Sequence, residues 1–374
     1  MAHFRKDMIT FMMGNKCNLS CTYCLADKIK DDDNVKETER KKVNKKIDVV
    51  FAKKAIDDFF ESTDSRWIRF YGMGEPTLNF KEIKEIHKYA KEKAGDKLLV
   101  ELQTNGYFSN NMIQWISENV HRIWISLDGP AEVQDIQRPT KTGISSRPSI
   151  EKNIKELLKV DNLMVGARPT ITELNLYKQV EMIEYFHSLG LKYVWSHHEF
   201  KSLEKEGVIH SQGVSQIDLV EYAKETVKAF HRAEDLGIFY RPFLAANFDE
   251  QSEYACRACL PGWHVTYDGH ISACDMAPEG NSPFEDFIWG KWNPKTKTIE
   301  YDKEKKAKLQ SRTGKNIPEC RECEVLENCA GGCLGEAYSE TGSMSGIRKN
   351  HCDAVKYLAE HLPRNQERYK FEHP

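Results

Sequence analysis

The sequence predicts an α/β fold, a partial (β/α)6 TIM-like barrel followed by a small cysteine-rich C-terminal domain. Three observations predict it. Short, nearly all-apolar runs alternate with amphipathic stretches through the first 250 residues. Beyond Tyr254 the composition shifts to Cys, Gly and short turns. The 11 cysteines fall in two groups, Cys17–Cys24 and Cys256 onward, with none between.

The strand-like runs lie at 8–13, 67–71, 98–103, 123–127, 163–167 and 193–196. They are rich in Val, Ile, Trp, Phe and Tyr, as a buried parallel sheet requires. Between them, 52–61, 80–94, 150–159 and 177–189 carry apolar residues at three- and four-residue spacing, the mark of helices with one buried stripe. Such alternation implies βα units, and six units fit better than eight. The charge-dense stretch 28–46 is expected to be an exposed loop after the first strand. A helix over 217–236 and a possible strand over 238–243 close the first domain. The division expected is 1–250 for the barrel and 251–374 for the cysteine-rich domain. That second region has few long periodic elements, so metal clusters are expected to staple it.

A chain of 374 residues suits one large domain and a smaller one. With a net charge of -3 there is no basic surplus of the kind a nucleic-acid partner needs. No apolar run approaches the roughly 20 residues that span a bilayer. The start, MAHFRKDMITFMMGNKC, lacks the apolar core of a signal peptide. The expected setting is cytoplasmic, with neither nucleic acid nor membrane as partner. In a reducing compartment an odd number of cysteines argues against disulfides and for metal ligation.

The first group, Cys17-Asn-Leu-Ser-Cys21-Thr-Tyr-Cys24, directly follows the first strand. Three thiolates on one tight loop can hold three irons of a [4Fe–4S] cube, which would leave the fourth iron open for chemistry. Zinc instead favours four ligands in paired C-x2-C units. Three further stretches end the next strands: Gly72-Met73-Gly74-Glu75-Pro76, Gln103-Thr104-Asn105-Gly106 and Ser126-Leu127-Asp128-Gly129-Pro130. Gly74 allows close backbone approach to a ligand. Polar residues at the carboxyl ends of parallel strands are where barrel enzymes build their sites. Arg168, His197 and His198 are expected at that same end.

The cysteine loop resembles the hallmark of the radical S-adenosylmethionine (SAM) superfamily. That resemblance implies a cluster whose free iron is chelated by the amino and carboxylate groups of SAM. Tyr23 fits the aromatic residue typical between the last two cysteines. Gly74 and Glu75 fit the family's Gly-Gly-Glu motif, with Met73 replacing one glycine. Ser126 and Arg138 fit the serine and downstream arginine that contact SAM in related maturases.

The C-terminal pattern Cys259-x9-Gly269-x4-Cys274, then Cys320-x2-Cys323-x5-Cys329-x3-Cys333-x18-Cys352, resembles the SPASM domain. The resemblance implies two auxiliary clusters with interleaved ligands: Cys256, Cys259, Cys274 and Cys333 for one, Cys320, Cys323, Cys329 and Cys352 for the other. Two fully ligated cubes and one open cube account for all 11 thiolates. The implied cofactors are three [4Fe–4S] clusters and SAM.

The layout is similar to that of anaerobic sulfatase-maturating enzymes, in which an aspartate at the place of Asp275 is the proposed base. The implied activity is oxidation of a peptide or protein side chain: a crosslink, a thioether or a formylglycine. A low-potential donor of flavodoxin or ferredoxin type is the implied electron source. A family member acting on a small molecule, a sugar or a tetrapyrrole, is the alternative reading. Many crosslinking members carry a peptide-recognition domain before the barrel. Cys17 leaves no room for one, so leader recognition is expected to need a separate protein or another surface.

Overall fold

The computed structural model describes residues 7–24, 45–200, 204–205, 208–209, 217–249, 251–280 and 284–364. In the first part, β1 (Ile9–Met12), α1 (Val49–Ser62), β2 (Trp67–Tyr71), α2 (Phe80–Ala94), β3 (Leu99–Thr104), α3 (Asn111–Asn119) and β4 (Arg122–Ile125) follow in turn. Next come α4 (Ala131–Gln137), α5 (Arg147–Leu157), β5 (Met164–Ala167), the short β6 (Thr170–Ile171), α6 (Gln179–Ser188) and β7 (Tyr193–His198). A small ribbon, β8 (Glu204–Lys205) with β9 (Val208–Ile209), precedes α7 (Leu219–Asp235) and β10 (Phe239–Pro242). The remainder holds β11 (Trp263–Val265), β12 (His270–Ser272), β13 (Ile288–Asn293) and β14 (Thr298–Tyr301). It ends with α8 (Lys303–Gln310), α9 (Leu326–Cys329), α10 (Leu334–Thr341) and α11 (Lys349–His361).

Seven strands run parallel in the spatial order β1-β2-β3-β4-β5-β7-β10, curled as a partial barrel. They lie within a few residues of the expected runs, and β10 is the possible closing strand. On the far side of β1 the sheet continues: β11 pairs with it in parallel, then β12, β13 and β14 add antiparallel. Of the stretch 28–46, residues up to 44 lie outside the described ones; Lys46 returns to bridge Gly14. Residue 250, the expected domain boundary, also lies outside them. Among the described residues no helix is long and apolar enough to cross a membrane.

Register explains what the two faces of the barrel sheet do. Phe11, Phe70, Leu102, Ile123 and Val165 align across five strands and are buried under the helices. α1 supplies Phe51, Ile56 and Phe59 to the same core, and Asp48 caps that helix by accepting from the Val50 and Phe51 N–H groups. One residue out of phase, His264, Thr10, Arg69, Glu101, Arg122 and Met164 align on the inner face. A parallel sheet covered on both faces by helices reads as continuously apolar. These strands alternate instead, because their second face lines a polar interior.

On the same inner face, Trp124, Met164 and Trp195 form a separate apolar cluster. Gly166 makes room for it: a Cβ there would stand 2.4 Å from the Trp124 ring. The C-terminal elements are not a separate core. Val325, Leu334, Val355 and Leu358 belong to the cluster that includes the barrel helices, and α11 packs on α7.

Candidate active site

The three-cysteine loop leaves β1 and is tied on several sides by backbone bonds. Ser20 N donates to Pro139 O, Thr22 N to Gln137 O and Glu75 N to Lys16 O, at 2.8–2.9 Å. Asn105, just beyond β3, donates through Nδ2 to Asn18 Oδ1 at 2.8 Å and to Cys17 Sγ at 3.8 Å. The Leu19 N–H also points at Cys17 Sγ, at 3.5 Å. N–H donors aimed at a sulfur favour its thiolate form and tune a cluster bound to it. Cys17, Cys21 and Cys24 are half-buried and free of disulfides. Burial pushes the Cys21 thiol up to about 12, and the Arg138 guanidinium opposes this. A metal centre must therefore displace protons from these thiols on binding.

Gly74 sits where this loop and the β2 exit touch. A Cβ at Gly74 would fall 2.2 Å from Lys16 O, and its N–H donates to Gly14 O at 3.1 Å. Glu75 is buried, and its carboxylate is filled from within the protein. Thr77 N, Thr77 Oγ1 and Thr104 Oγ1 donate to Oε1, and Asn105 N donates to Oε2 at 2.7 Å. Glu75 thus clamps the β2 and β3 exits together.

Tyr23, Asp128 and Arg138 form one buried knot behind the loop. The Tyr23 hydroxyl donates to Asp128 Oδ2 at 2.8 Å and accepts from Arg138 Nη1. Gln137 and the Thr170 N–H also donate to Asp128, both at 2.9 Å. Burial pushes the Tyr23 phenol well above its ordinary value, against the pull of Arg138. Arg138 Nε is buried with no hydrogen-bond partner among the described residues. Ser126, half-buried just after β4, donates its N–H to Thr104 O.

Asp275 stands next to Cys274. Arg69 Nη2 reaches both of its oxygens, at 3.1 and 3.2 Å, and His264 Nε2 lies 2.7 Å from Oδ1. Despite burial, Arg69 and then His264 hold the Asp275 carboxyl well below the usual range. Tyr71, under the Arg69 guanidinium at 4.8 Å, stands within electrostatic reach of Asp275, Arg168 and Cys24. Arg168 Nη1 donates to Gln103 Oε1 at 2.7 Å, and Nη2 meets His197 Nε2 at 2.7 Å. His198 points elsewhere, to Glu336 Oε1 at 2.8 Å. Sequence reasoning passed over Arg69, Tyr71 and His264. The available signal was a charged or polar residue at period two inside an otherwise apolar strand.

The C-terminal cysteines gather in two groups. Cys256 and Cys259 share a hydrogen bond, and Cys333 lies within electrostatic reach of Cys256 and Cys274. A Cβ on Gly335 would stand 3.6 Å from Cys274 Sγ, so the start of α10 closes on that thiol. Cys329 lies within reach of Cys352, Cys320 and Cys323. Among the described residues no group of three or more His, Cys, Asp or Glu side chains converges as a single ion requires. A four-iron cube spreads its thiolates wider than one ion does. The free thiols, the N–H groups aimed at Cys17 and the orphaned Arg138 Nε suit an anionic cluster with an anionic ligand.

Comparison with known proteins bears on this arrangement. Residues 11–198 match the model of the Radical SAM superfamily. The chain is 34% identical over 182 residues to the uncharacterized protein MJ0907 of Methanocaldococcus jannaschii, a match covering 48% of this chain and 57% of that one. It is 22% identical over 360 residues to a serine-type anaerobic sulfatase-maturating enzyme of Bacteroides thetaiotaomicron, covering 88% and 82% of the two. Its fold superposes on that of anSMEcpe with bound AdoMet at a TM-score of 0.72, with 20% identity and 95% and 93% of the chains covered. The form of anSMEcpe with bound AdoMet and Cp18Cys peptide gives 0.70. With half of its length matched by the family model, this chain belongs to the radical SAM superfamily.

Proposed function

We propose that the chain is a radical SAM oxidoreductase that modifies a side chain of a peptide or protein, with three [4Fe–4S] clusters, one of them holding SAM. When bound, the reduced cluster and SAM supply a primary carbon radical that removes hydrogen from an unactivated carbon. The observation that carries the reading is the position of Tyr71. Its phenol lies within electrostatic reach of both Cys24 and Asp275, the neighbour of Cys274. In this reading a substrate carbon held beside Tyr71 would be near both cysteine groups, so one site would serve hydrogen removal and onward electron transfer. The names of the sulfatase-maturating relative and of the peptide-bound neighbour support a peptide substrate.

In this reading Cys17, Cys21 and Cys24 hold the SAM cluster. Gly74 would offer backbone to SAM, Glu75 would fix the shape of that stretch, and Ser126 would contact SAM. Arg138, steered by Tyr23, neutralises the carboxylate. Cys256, Cys259, Cys274 and Cys333 hold one auxiliary cluster, and Cys320, Cys323, Cys329 and Cys352 the other. Fully ligated clusters have no iron open to substrate, which suits electron transfer. Asp275 takes the proton that leaves as the substrate is oxidised. Residues 1–250 form the radical domain and 251–374 the SPASM domain. A flavodoxin or ferredoxin supplies the electron, in the cytoplasm. The test is anaerobic incubation of enzyme, reductant and SAM with short peptides encoded beside its gene, read by mass. A loss of about 2 Da in step with 5′-deoxyadenosine supports dehydrogenation or crosslinking, as a two-electron oxidation requires. Unchanged peptides with deoxyadenosine driven by a small metabolite overturn the reading.

A further inference from the structure

Arg168 follows β5 and is half-buried at the open end of the barrel. Its two hydrogen-bond partners are uncharged. Gln103 is an amide, and His197 is kept neutral by burial and by the neighbouring Arg168 charge. The nearby carboxylates are engaged elsewhere: Asp275 by Arg69 and His264, Glu101 by Arg122. Arg257 adjoins Cys256, a cluster ligand in the reading above, and Arg138 lies within electrostatic reach of Cys21 and Asp128. Arg168, at the carboxyl end of β5, forms no ion pair with a carboxylate among the described residues, and both of its hydrogen-bond partners are neutral.

A half-buried cation without a counter-ion is costly unless the ligand brings one. A guanidinium carries five N–H donors in a fixed fork that fits a carboxylate with two parallel bonds. The two contacts to Gln103 and His197 leave the rest of that fork free, and they fix its plane. His197 is itself held, stacked on Phe243 with ring centroids 4.6 Å apart and met edge-on by Phe200 at 5.7 Å. The anchor is therefore preorganised, the condition under which one charged contact sets specificity.

We propose that Arg168 is the substrate anchor, gripping a carboxylate of the peptide, an acidic side chain or the C-terminus, close to the residue that loses hydrogen. Gln103 and His197 are positioning residues for that grip. The inference rests on the peptide reading above. In that reading SAM's own carboxylate is served by Arg138, which lies beside Tyr23 and Cys21.

The experiment uses full-length, anaerobically reconstituted enzyme with SAM and three mass-coded heptapeptide libraries. One has an acidic residue and an amidated C-terminus, one has a free C-terminus and no acidic residue, and one has neither. Peptides retained on wild type, Arg168→Lys and Arg168→Gln are counted by mass spectrometry, and iron content and Tm report that each variant is folded. Wild type is expected to enrich at least one carboxylate library over the neutral one by about tenfold or more, the worth of one charge-assisted pair. Whichever library is enriched names the source of the carboxylate. Arg168→Gln is expected to lose the preference and Arg168→Lys to keep part of it. The wild-type comparison holds even where a variant fails to fold. Equal retention of all three libraries on wild type, or a preference that survives in Arg168→Gln, overturns the anchor and leaves the peptide reading standing. Retention of none overturns both.

Discussion

Asp275 is held by the Arg69 guanidinium and the His264 imidazole on one carboxylate that is 31% exposed. So held, it is a weak base toward a resting substrate. It suits a proton that becomes acidic only as an electron leaves, which couples deprotonation to oxidation. Asp275→Asn is expected to keep all its iron and to lower product formation by at least about 100-fold. Because the change leaves Arg69 buried beside a neutral amide, Tm should fall as well. Product at the wild-type rate reduces Asp275 to a partner of Arg69. Gly74 gives a second residue-scale prediction. Its missing Cβ is what lets Lys16 pass at van der Waals distance. Gly74→Ala should shift the cysteine loop and drop iron from about 12 to about 8 per chain, the loss of one cube. Full iron in that variant removes the tight contact from the account. The cysteines and Gly74 were legible in sequence because their chemistry is local and their spacing short. The partners of Asp275 were not, since Arg69 lies 206 residues away and meets it only through the sheet.

On α2, His87 meets Trp115 of α3 edge-on, ring centroids 5.3 Å apart, and burial lowers its pKa to about 4. In the unfolded chain it titrates near about 6.5. Between those values the unfolded state binds the extra proton, so stability falls as pH falls from about 6.5 toward 4. His87→Phe keeps the aromatic contact and removes the proton, so its anaerobic Tm should decline less steeply than wild type over that window. Identical slopes refute the assignment. Inside the barrel, Gly166→Ala drives a methyl into the Trp124 ring, at a cost of about 1–3 kcal/mol and a fall in Tm of roughly 3–10 °C. An unchanged Tm would mean the ring moves freely. At this scale the strands were legible because alternate residues face a continuous helix layer. α3 was not, because it is short and buries only Ile116. The β13–β14 hairpin also went unread. Its strand Ile-Trp-Gly-Lys-Trp-Asn interrupts the apolar pattern with Gly290, whose open face accepts Ile271.

The barrel edge and the C-terminal part complete one another. β11 covers the outer side of β1, and Thr10 aligns with His264 while Phe11 aligns with Val265. α11 lies on α7, which buries Tyr222, Ala229, Phe230 and Ala233. Glu336 on α10 takes His198 from β7 and Arg348 from the start of α11, all three buried. Removing residues 251–374 thus uncovers a strand edge in mid-sheet, an apolar helix face and a histidine stripped of its partner. Open strand edges recruit other strands, and the uncovered face has no polar substitute. A chain ending at residue 250 is therefore expected to be recovered mainly in the insoluble fraction, and its soluble part to elute as aggregate on gel filtration. The full chain carrying Ala at Cys320, Cys323, Cys329 and Cys352 retains those covering elements. It should stay in solution with about 8 irons, because clusters staple the segment locally while the shared sheet and core hold it to the barrel. A soluble, monomeric chain of 1–250 that still binds about 4 irons would show instead that the barrel stands alone and that the continuity of the sheet is incidental.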